Sequence, residues 1–380
     1  MRPTLDRLPG GALTHPVIHT TERGRGWYGR HQTDSTGSAP ADPLANRGYS
    51  MSSSGSGPFV RLRQREWEEF ARDRLDVDTA RRFEQQLEHW ELDVSGRPIP
   101  WVGAAKLVIP VARRDGTPAV LKLNPDDEEV RHEGAALRAF DGDGAVRVLE
   151  SDADGGALLL ERLTPGEPLE AHSDREEAIG IVCGLLRRLW RAVPSDHPFV
   201  TASELAGRWR QELSVRYDRA RRPFERAPLD AALAACEELA RPAGPAIIAN
   251  RDVHLGNVIS AQREPWLLID PQPVLGEPAF DLAYLAQDLL PRCPSGAELH
   301  ATVDRLTGEL EVAADRVRQW MLVRTIDNAL DGISCDATWG WRELQIARLL
   351  VAEQSRPGTR RQGDPAGPDA RRRDRAGEQQ

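Results

Sequence analysis

Lysine is almost missing from this chain: of its 50 basic residues only Lys106 and Lys122 are lysine, and the rest are arginine. Methionine (3 residues), tyrosine (4) and cysteine (4) are also scarce among the 380 residues. Cys183, Cys236, Cys293 and Cys335 stand 42 to 57 residues apart, which gives neither paired metal ligands nor a compact disulfide framework. Reduced thiols in a cytosol are the expectation. No apolar run reaches the roughly 18 residues that a membrane span needs, and no basic-then-apolar leader is evident. A cytoplasmic chain without membrane attachment is therefore expected. With 40% hydrophobic and 29% charged residues, a collagen-like fibre and a wholly disordered chain are excluded.

Length suits two domains or one domain of two lobes. Residues 1–57 are rich in Gly, Ser, Thr and Pro without a sustained period, and 355–380 hold Arg, Gly, Pro, Asp and Gln without an apolar face; both are expected to be disordered tails. Six arginines against four acids in the first tail, and seven against four in the second, leave −14 of the net charge of −9 on residues 58–354. An acidic body argues against nonspecific nucleic-acid binding and is compatible with a cationic small substrate.

Two helical stretches, Arg65–Leu75 and Asp78–Leu92, come first. Leu107–Ala112 and Pro118–Leu123 then read as strands about a turn at Asp115-Gly116. A helix is expected at Asp127–Phe140, then strands at Val146–Leu149 and Gly156–Glu161. Beyond Pro165 the pattern is mainly helical, as with Ile179, Val182, Leu186 and Leu189 on one face, and later near Leu229–Ala240, Leu299–Leu310, Ala314–Leu330 and Trp341–Val351. One β-rich interruption falls at Ala246–Asp270. The expected fold is α+β, with a small β-rich N-lobe (58–163) and a larger α-rich C-lobe (164–354).

The densest polar cluster lies in that interruption, where apolar flanks hold Asp252, His254 and Asn257 on a loop. Thirteen residues on, the apolar strand Pro265–Ile269 ends in Asp270-Pro271, which points a carboxylate out of the core. Phosphoryl transfer needs one carboxylate to accept a hydroxyl proton and hard oxygen ligands for Mg²⁺, so Asp252 suits the base and Asn257 with Asp270 suit the metal. Asx-turn chemistry is the plainer alternative for each residue alone. Lys122 sits on an apolar strand where a charge needs a partner or ligand. Glu133, eleven residues later, is placed to pair with it and leave the ammonium for nucleotide phosphates, whereas an edge-strand lysine in water is the plainer reading. Lys106 follows the small-residue turn Trp101–Ala105, which reads either as a cover for phosphates, on the weak signal of one glycine, or as a turn beside a solvated lysine.

These residues resemble the aminoglycoside phosphotransferases of the protein-kinase-like fold, and more narrowly the streptomycin 6-kinase and hydroxyurea phosphotransferase group. The family loop H-G-D-x-H-x-x-N is matched by Asn250-Arg-Asp252-Val-His254-Leu-Gly-Asn257, the metal motif by Ile269-Asp270-Pro271, and the group's own stretch by Val274–Ala283. Asp115–Lys122, Arg131–Leu137 and Leu158–Arg162 also match, so that the likeness spans roughly residues 60–350. The resemblance implies a two-lobed kinase-like fold, ATP and Mg²⁺ as cofactors and a small-molecule acceptor. It implies Asp252 as catalytic base, Asn257 and Asp270 as metal ligands, Lys122 on ATP phosphates, Glu133 orienting Lys122, and a hinge around Leu160-Glu161-Arg162-Leu163 that meets adenine mainly through its backbone. Streptomycin or a related aminocyclitol is the leading acceptor, with hydroxyurea as competitor and a catalytically weak ATP-binding module as the reading of another class.

The chain departs from the family where Asn250 and Arg251 replace His and Gly, and where Gln272 replaces a lysine common in the narrower group. The loop His usually braces the metal-binding strand, and Asn keeps a donor and an acceptor but not the ring's packing. His254 reads as structural or substrate-side, and Asp281 as a brace for the catalytic loop. Asp327, Asp331, Asp336 and Glu343 form an acidic run, with Asp327 and Asp331 on one helix face; it reads either as a substrate-facing wall or as a solvated face.

Overall fold

The computed structural model describes residues 77–96, 107–124, 126–193, 196–335 and 337–354. The two tails, the Arg65–Leu75 segment, Lys106 with its preceding turn, and Asp336 lie outside the described residues. Helix α1 (Val77–His89) is shorter than its apolar period implies. Glu91 takes a left-handed backbone (φ 50°) and redirects the chain, so that Leu92–Val94 is strand β1 rather than the last turn of a helix. Strands β2 (Leu107–Arg113) and β3 (Pro118–Leu123) form the expected hairpin. Gly116 at φ 81° makes the turn, and the Asp115 carboxylate accepts from the Thr117 N–H at 2.9 Å.

Helix α2 (Asp127–Phe140) starts where Asp126 accepts from the Glu129 N–H and ends at Asp141 in the left-handed region. Strands β4 (Val148–Asp152) and β5 (Ala157–Glu161) complete an antiparallel sheet in the order β1-β2-β3-β5-β4. Side-chain alternation divides its faces. Ile109, Ala119, Leu121, Leu123 and Leu159 pack with Phe83 of α1, whereas Leu158 and Leu160 join α2 in the main core. Lys122, out of phase with Leu121 and Leu123 and opposite Leu158 in the ladder, therefore points toward α2.

The helical region follows with α3 (Arg175–Leu189), α4 (Ala202–Arg219) and α5 (Arg226–Leu239). Four short strands come next: β6 (Ile247–Asn250), β7 (Val258–Ser260), β8 (Trp266–Leu268) and β9 (Pro273–Gly276). Helices α6 (Pro278–Leu289), α7 (Gly296–Leu310), α8 (Ala314–Ser334) and α9 (Thr338–Gln354) close the described chain. β6 pairs with β9 and β7 with β8, both antiparallel, and one hydrophobic core runs from Val130 of α2 to Leu350 of α9. Among the described residues no helix is long and apolar enough to cross a membrane. All four cysteines are free, and burial pushes Cys183 and Cys236 up to about 12.

Candidate active site

The two short strand pairs put the candidate residues side by side. β6 is buried along its whole length and delivers the chain into the Arg251–His254 loop, and a single 3₁₀ turn, Leu255–Asn257, leads into β7. β8 runs into Ile269, whose N–H donates to the Asn257 carbonyl at 2.9 Å. Asp270 follows at φ 51°, a left-handed conformation uncommon for a residue with a side chain. Such a backbone is held by its surroundings: Pro271 comes next, and Arg251 N–H donates to Gln272 O at 2.9 Å.

Lys122 reaches across from the five-stranded sheet. Its Nζ donates to Glu133 Oε1 at 2.8 Å and Oε2 at 2.7 Å, and also contacts Asp270 Oδ1. All three side chains are buried. Burial alone would favour a neutral amine, but the Asp270 and Glu133 carboxylates outweigh it and hold Lys122 above its ordinary pKa. Burial also raises Glu133, against the pull of the ammonium.

Asp252 and Asn257 meet on the other side of the loop. The Asn257 amide donates to both the Asp252 carbonyl and Asp252 Oδ2 at 3.1 Å. This spends the N–H groups of the amide on Asp252 and fixes its oxygen as the group that can accept or ligate. His254 Nδ1 accepts the Gly256 N–H at 3.1 Å, and Nε2 lies 3.8 Å from Asp252 Oδ2. Accepting at Nδ1 puts the proton of a neutral ring on Nε2. Burial would lower the His254 pKa, but Asp252, Asp288 and Glu170 prevail and raise it.

The donor set fits a magnesium ion. Asn257 offers an amide oxygen, and Asp270 offers a carboxylate on a backbone-tied neighbour. Mg²⁺ takes hard oxygens, and one or two protein side chains with phosphates and waters suffice. Among the described residues no group of three or more His, Cys, Asp or Glu could hold a metal alone.

Asn250 stands where the loop His was expected. Its Oδ1 accepts the Asp252 N–H at 2.9 Å and the Gln272 N–H at 2.8 Å, while Nδ2 is buried with no hydrogen-bond partner. Beneath it Asp281 is buried. Its Oδ1 accepts the Asn250 N–H at 2.7 Å and its Oδ2 the Trp190 Nε1–H at 2.9 Å, as the bracing reading requires. Burial pushes Asp281 up to about 7 against those two donors.

Glu161 at the end of β5 has its backbone N–H on Arg147 O and its carboxylate on Arg263 (2.6 Å) and the Arg147 N–H (2.9 Å). The Arg263 clamp, which also reaches the Ala145 carbonyl, and the Trp190 donor were not legible in the sequence, because neither belongs to a motif. The acidic run resolves toward structure. Arg216 of α4 contacts Asp327 Oδ1 and bonds Asp331 Oδ1 at 2.6 Å and the Asp327 carbonyl at 2.9 Å. Glu343 is buried against Arg342 at 2.8 Å. Glu343 is thus no part of a solvated face, whereas Asp327 and Asp331 are partly exposed and tied to Arg216, and the substrate wall gains no support from these contacts.

The family model described as aminoglycoside/hydroxyurea antibiotic resistance kinase matches residues 89–331. A streptomycin 6-kinase of Streptomyces griseus is 36% identical over 271 residues, covering 70% of this chain and 86% of that protein. A hydroxyurea phosphotransferase of Kitasatospora aureofaciens is 37% identical over 279 residues, covering 71% and 78%. Among solved structures, a thermostable mutant of aminoglycoside phosphotransferase APH(4)-Ia in ternary complex with ADP and hygromycin B superimposes with a TM-score of 0.50 at 16% identity, covering 70% of this chain and 97% of that one. The five-stranded antiparallel sheet followed by a helical region is thus the protein-kinase-like fold, as expected, and the chain belongs to the aminoglycoside/hydroxyurea antibiotic resistance kinase family.

Proposed function

We propose that this phosphotransferase passes the γ-phosphoryl group of ATP to a hydroxyl of an aminoglycoside, with a streptomycin-like aminocyclitol as the leading acceptor. The observation that carries this reading is the buried contact of Lys122 with Glu133 and Asp270, which joins β3 to a loop 148 residues away beside the Asp252–Asn257 pair. In this reading nucleotide lies between residues 58–163 and 164–354. Lys122 holds the phosphates, Glu133 keeps its ammonium aimed, and the Leu160–Leu163 segment, Glu161 included, meets adenine through backbone groups. Asn257 and Asp270 hold Mg²⁺, which when bound supplies charge neutralisation across the nucleotide phosphates. Asp252 orients the acceptor hydroxyl and takes its proton as the new O–P bond forms; the Asn257 amide holds the carboxylate in place for that step.

The acceptor assignment rests on the relatives and on charge. Asp252, Asp288 and Glu170 together bear on His254, so this part of the C-lobe is acidic, as a polycationic acceptor prefers. The acidic body also disfavours nucleic acid as a partner, and the four free cysteines suit a cytoplasmic enzyme. Hydroxyurea is the second reading, favoured by a relative of equal similarity.

The test is ADP release with Mg-ATP across streptomycin, other aminoglycosides and hydroxyurea, with Asp252→Ala alongside. Turnover with streptomycin is expected, falling on the order of 10²–10⁴-fold in Asp252→Ala. Turnover with hydroxyurea alone would move the acceptor. Mg-ATP binding without turnover on any of these would sink the resistance-kinase reading.

A further inference from the structure

Asn250 stands where the family loop pattern has His, and its surroundings give that departure a purpose. The side chain is buried at the end of β6, and its Oδ1 receives two backbone N–H groups: that of Asp252 at 2.9 Å and that of Gln272 at 2.8 Å. Two donors on one atom fix the amide orientation, because the NH₂ end cannot face them. The two amides belong to different arms of the site. Asp252 carries the candidate base, and Gln272 lies two residues past Asp270. We propose that Asn250 is a positioning residue whose single carbonyl oxygen sets the spacing between the proton-accepting arm and the metal-binding arm.

A histidine could not make the same joint. A carbonyl oxygen has two lone pairs and takes two donors, whereas a neutral imidazole presents one acceptor nitrogen with one in-plane lone pair. Asn250 is therefore a different brace, not a weakened copy of the family's. Asn250 N–H is held separately by Asp281, so the backbone anchor of the loop survives a change of the side chain. The orphaned Nδ2 is the cost of presenting the oxygen to both arms.

This inference rests on the phosphotransferase reading for its kinetic consequence but not for its structural one. Two measurements on the full chain separate them: turnover with Mg-ATP and streptomycin, and backbone amide exchange. Gln272 lies between Pro271 and Pro273, so it supplies the only amide of that tripeptide and its exchange can be read cleanly. In Asn250→Ala, exchange at Asp252 and Gln272 should rise together while core amides of α8 stay protected. kcat should fall on the order of a hundredfold with KM for Mg-ATP little changed. Asn250→Asp, which keeps an oxygen able to take two donors, should retain protection at both amides. Asn250→His should protect one of them and turn over more slowly than the wild type. Unchanged exchange at Gln272 in Asn250→Ala, or a His variant as fast as the wild type or faster, would overturn the proposal. If the wild type shows no turnover with any acceptor, the exchange pattern still decides the inference while the functional reading falls.

Discussion

Lys122 with Glu133 and Asp270, and Arg216 with Asp327 and Asp331, both set one cation against two carboxylates, yet they are built for different ends. The lysine set draws on β3, α2 and the loop after β8, and none of its side chains is more than 8% exposed. The arginine set joins α4 to α8, and Asp331 keeps about half of its side chain in water (49%). The guanidinium fork also takes the Asp327 carbonyl, which fixes its plane. An ammonium is a compact point charge that can turn from one acceptor to another, whereas a fork locked on a carboxylate and a carbonyl stays put. In the proposed function the first set would exchange partners when phosphate arrives. The second is a clamp between helices.

Lys122→Met is the most damaging way to probe that contrast. It leaves two buried carboxylates without the ammonium between them, and breaking such a pair from one side costs about 3–5 kcal/mol. Turnover should fall on the order of 10²–10³-fold as well, the scale for losing one preorganised charge partner of the reacting group. Calorimetry and single-turnover kinetics measure the two losses separately. A stable, active Lys122→Met enzyme would erase the distinction between the sets.

Asp281 sharpens the contrast from another side, as a buried acid held by two neutral donors, the Asn250 N–H and the Trp190 indole. Its pKa is raised from 3.8 to about 7, so the folded state holds a proton that the unfolded chain has released across that interval. Stability from this group is full below pH 4 and drains as pH rises through 7, by on the order of 4 kcal/mol for a shift of about three pH units. Denaturation from pH 4 to 8 should show this fall in the wild type, and Asp281→Asn should flatten it. Equal slopes in the two proteins would mean that the acid is ionised throughout.

Arg216→Met should act on stability alone. Its partners are partly exposed, so a loss of about 1–3 kcal/mol is expected, without change in acceptor KM per folded molecule. A rise in acceptor KM beyond about tenfold would return Asp327 and Asp331 to the substrate wall.

How much of this was legible beforehand depended on range. Lys122 was visible because a charge on an apolar strand needs an explanation, and Asp270 because a carboxylate ended an apolar run before proline. Their mutual contact, across 148 residues, was not. Asp327 and Asp331 do share a helix face as the period implied, but their partner Arg216 lies 111 residues earlier and leaves no local trace. β1 was hidden because the apolar period of α1 continues through Leu92, and only the left-handed turn at Glu91 breaks it. β9 begins on the second proline of Pro271-Gln272-Pro273 and is four residues long, too short to establish a period.

Glu161→Gln should give the smallest effect. The Glu161 carboxylate is occupied by Arg263 and the Arg147 N–H, and the backbone N–H of Glu161 already bonds Arg147 O. Neither group is then presented to nucleotide, so adenine would meet the remaining backbone groups of the Leu160–Leu163 segment. Weakening the partly buried Arg263 pair should lower stability by about 1 kcal/mol or less. Nucleotide affinity, measured by titration calorimetry, should move by less than about threefold, under 1 kcal/mol. A loss of tenfold or more would mean that Arg263 positions the hinge through this carboxylate, and that the clamp behaviour assigned to Arg216 extends into the nucleotide site.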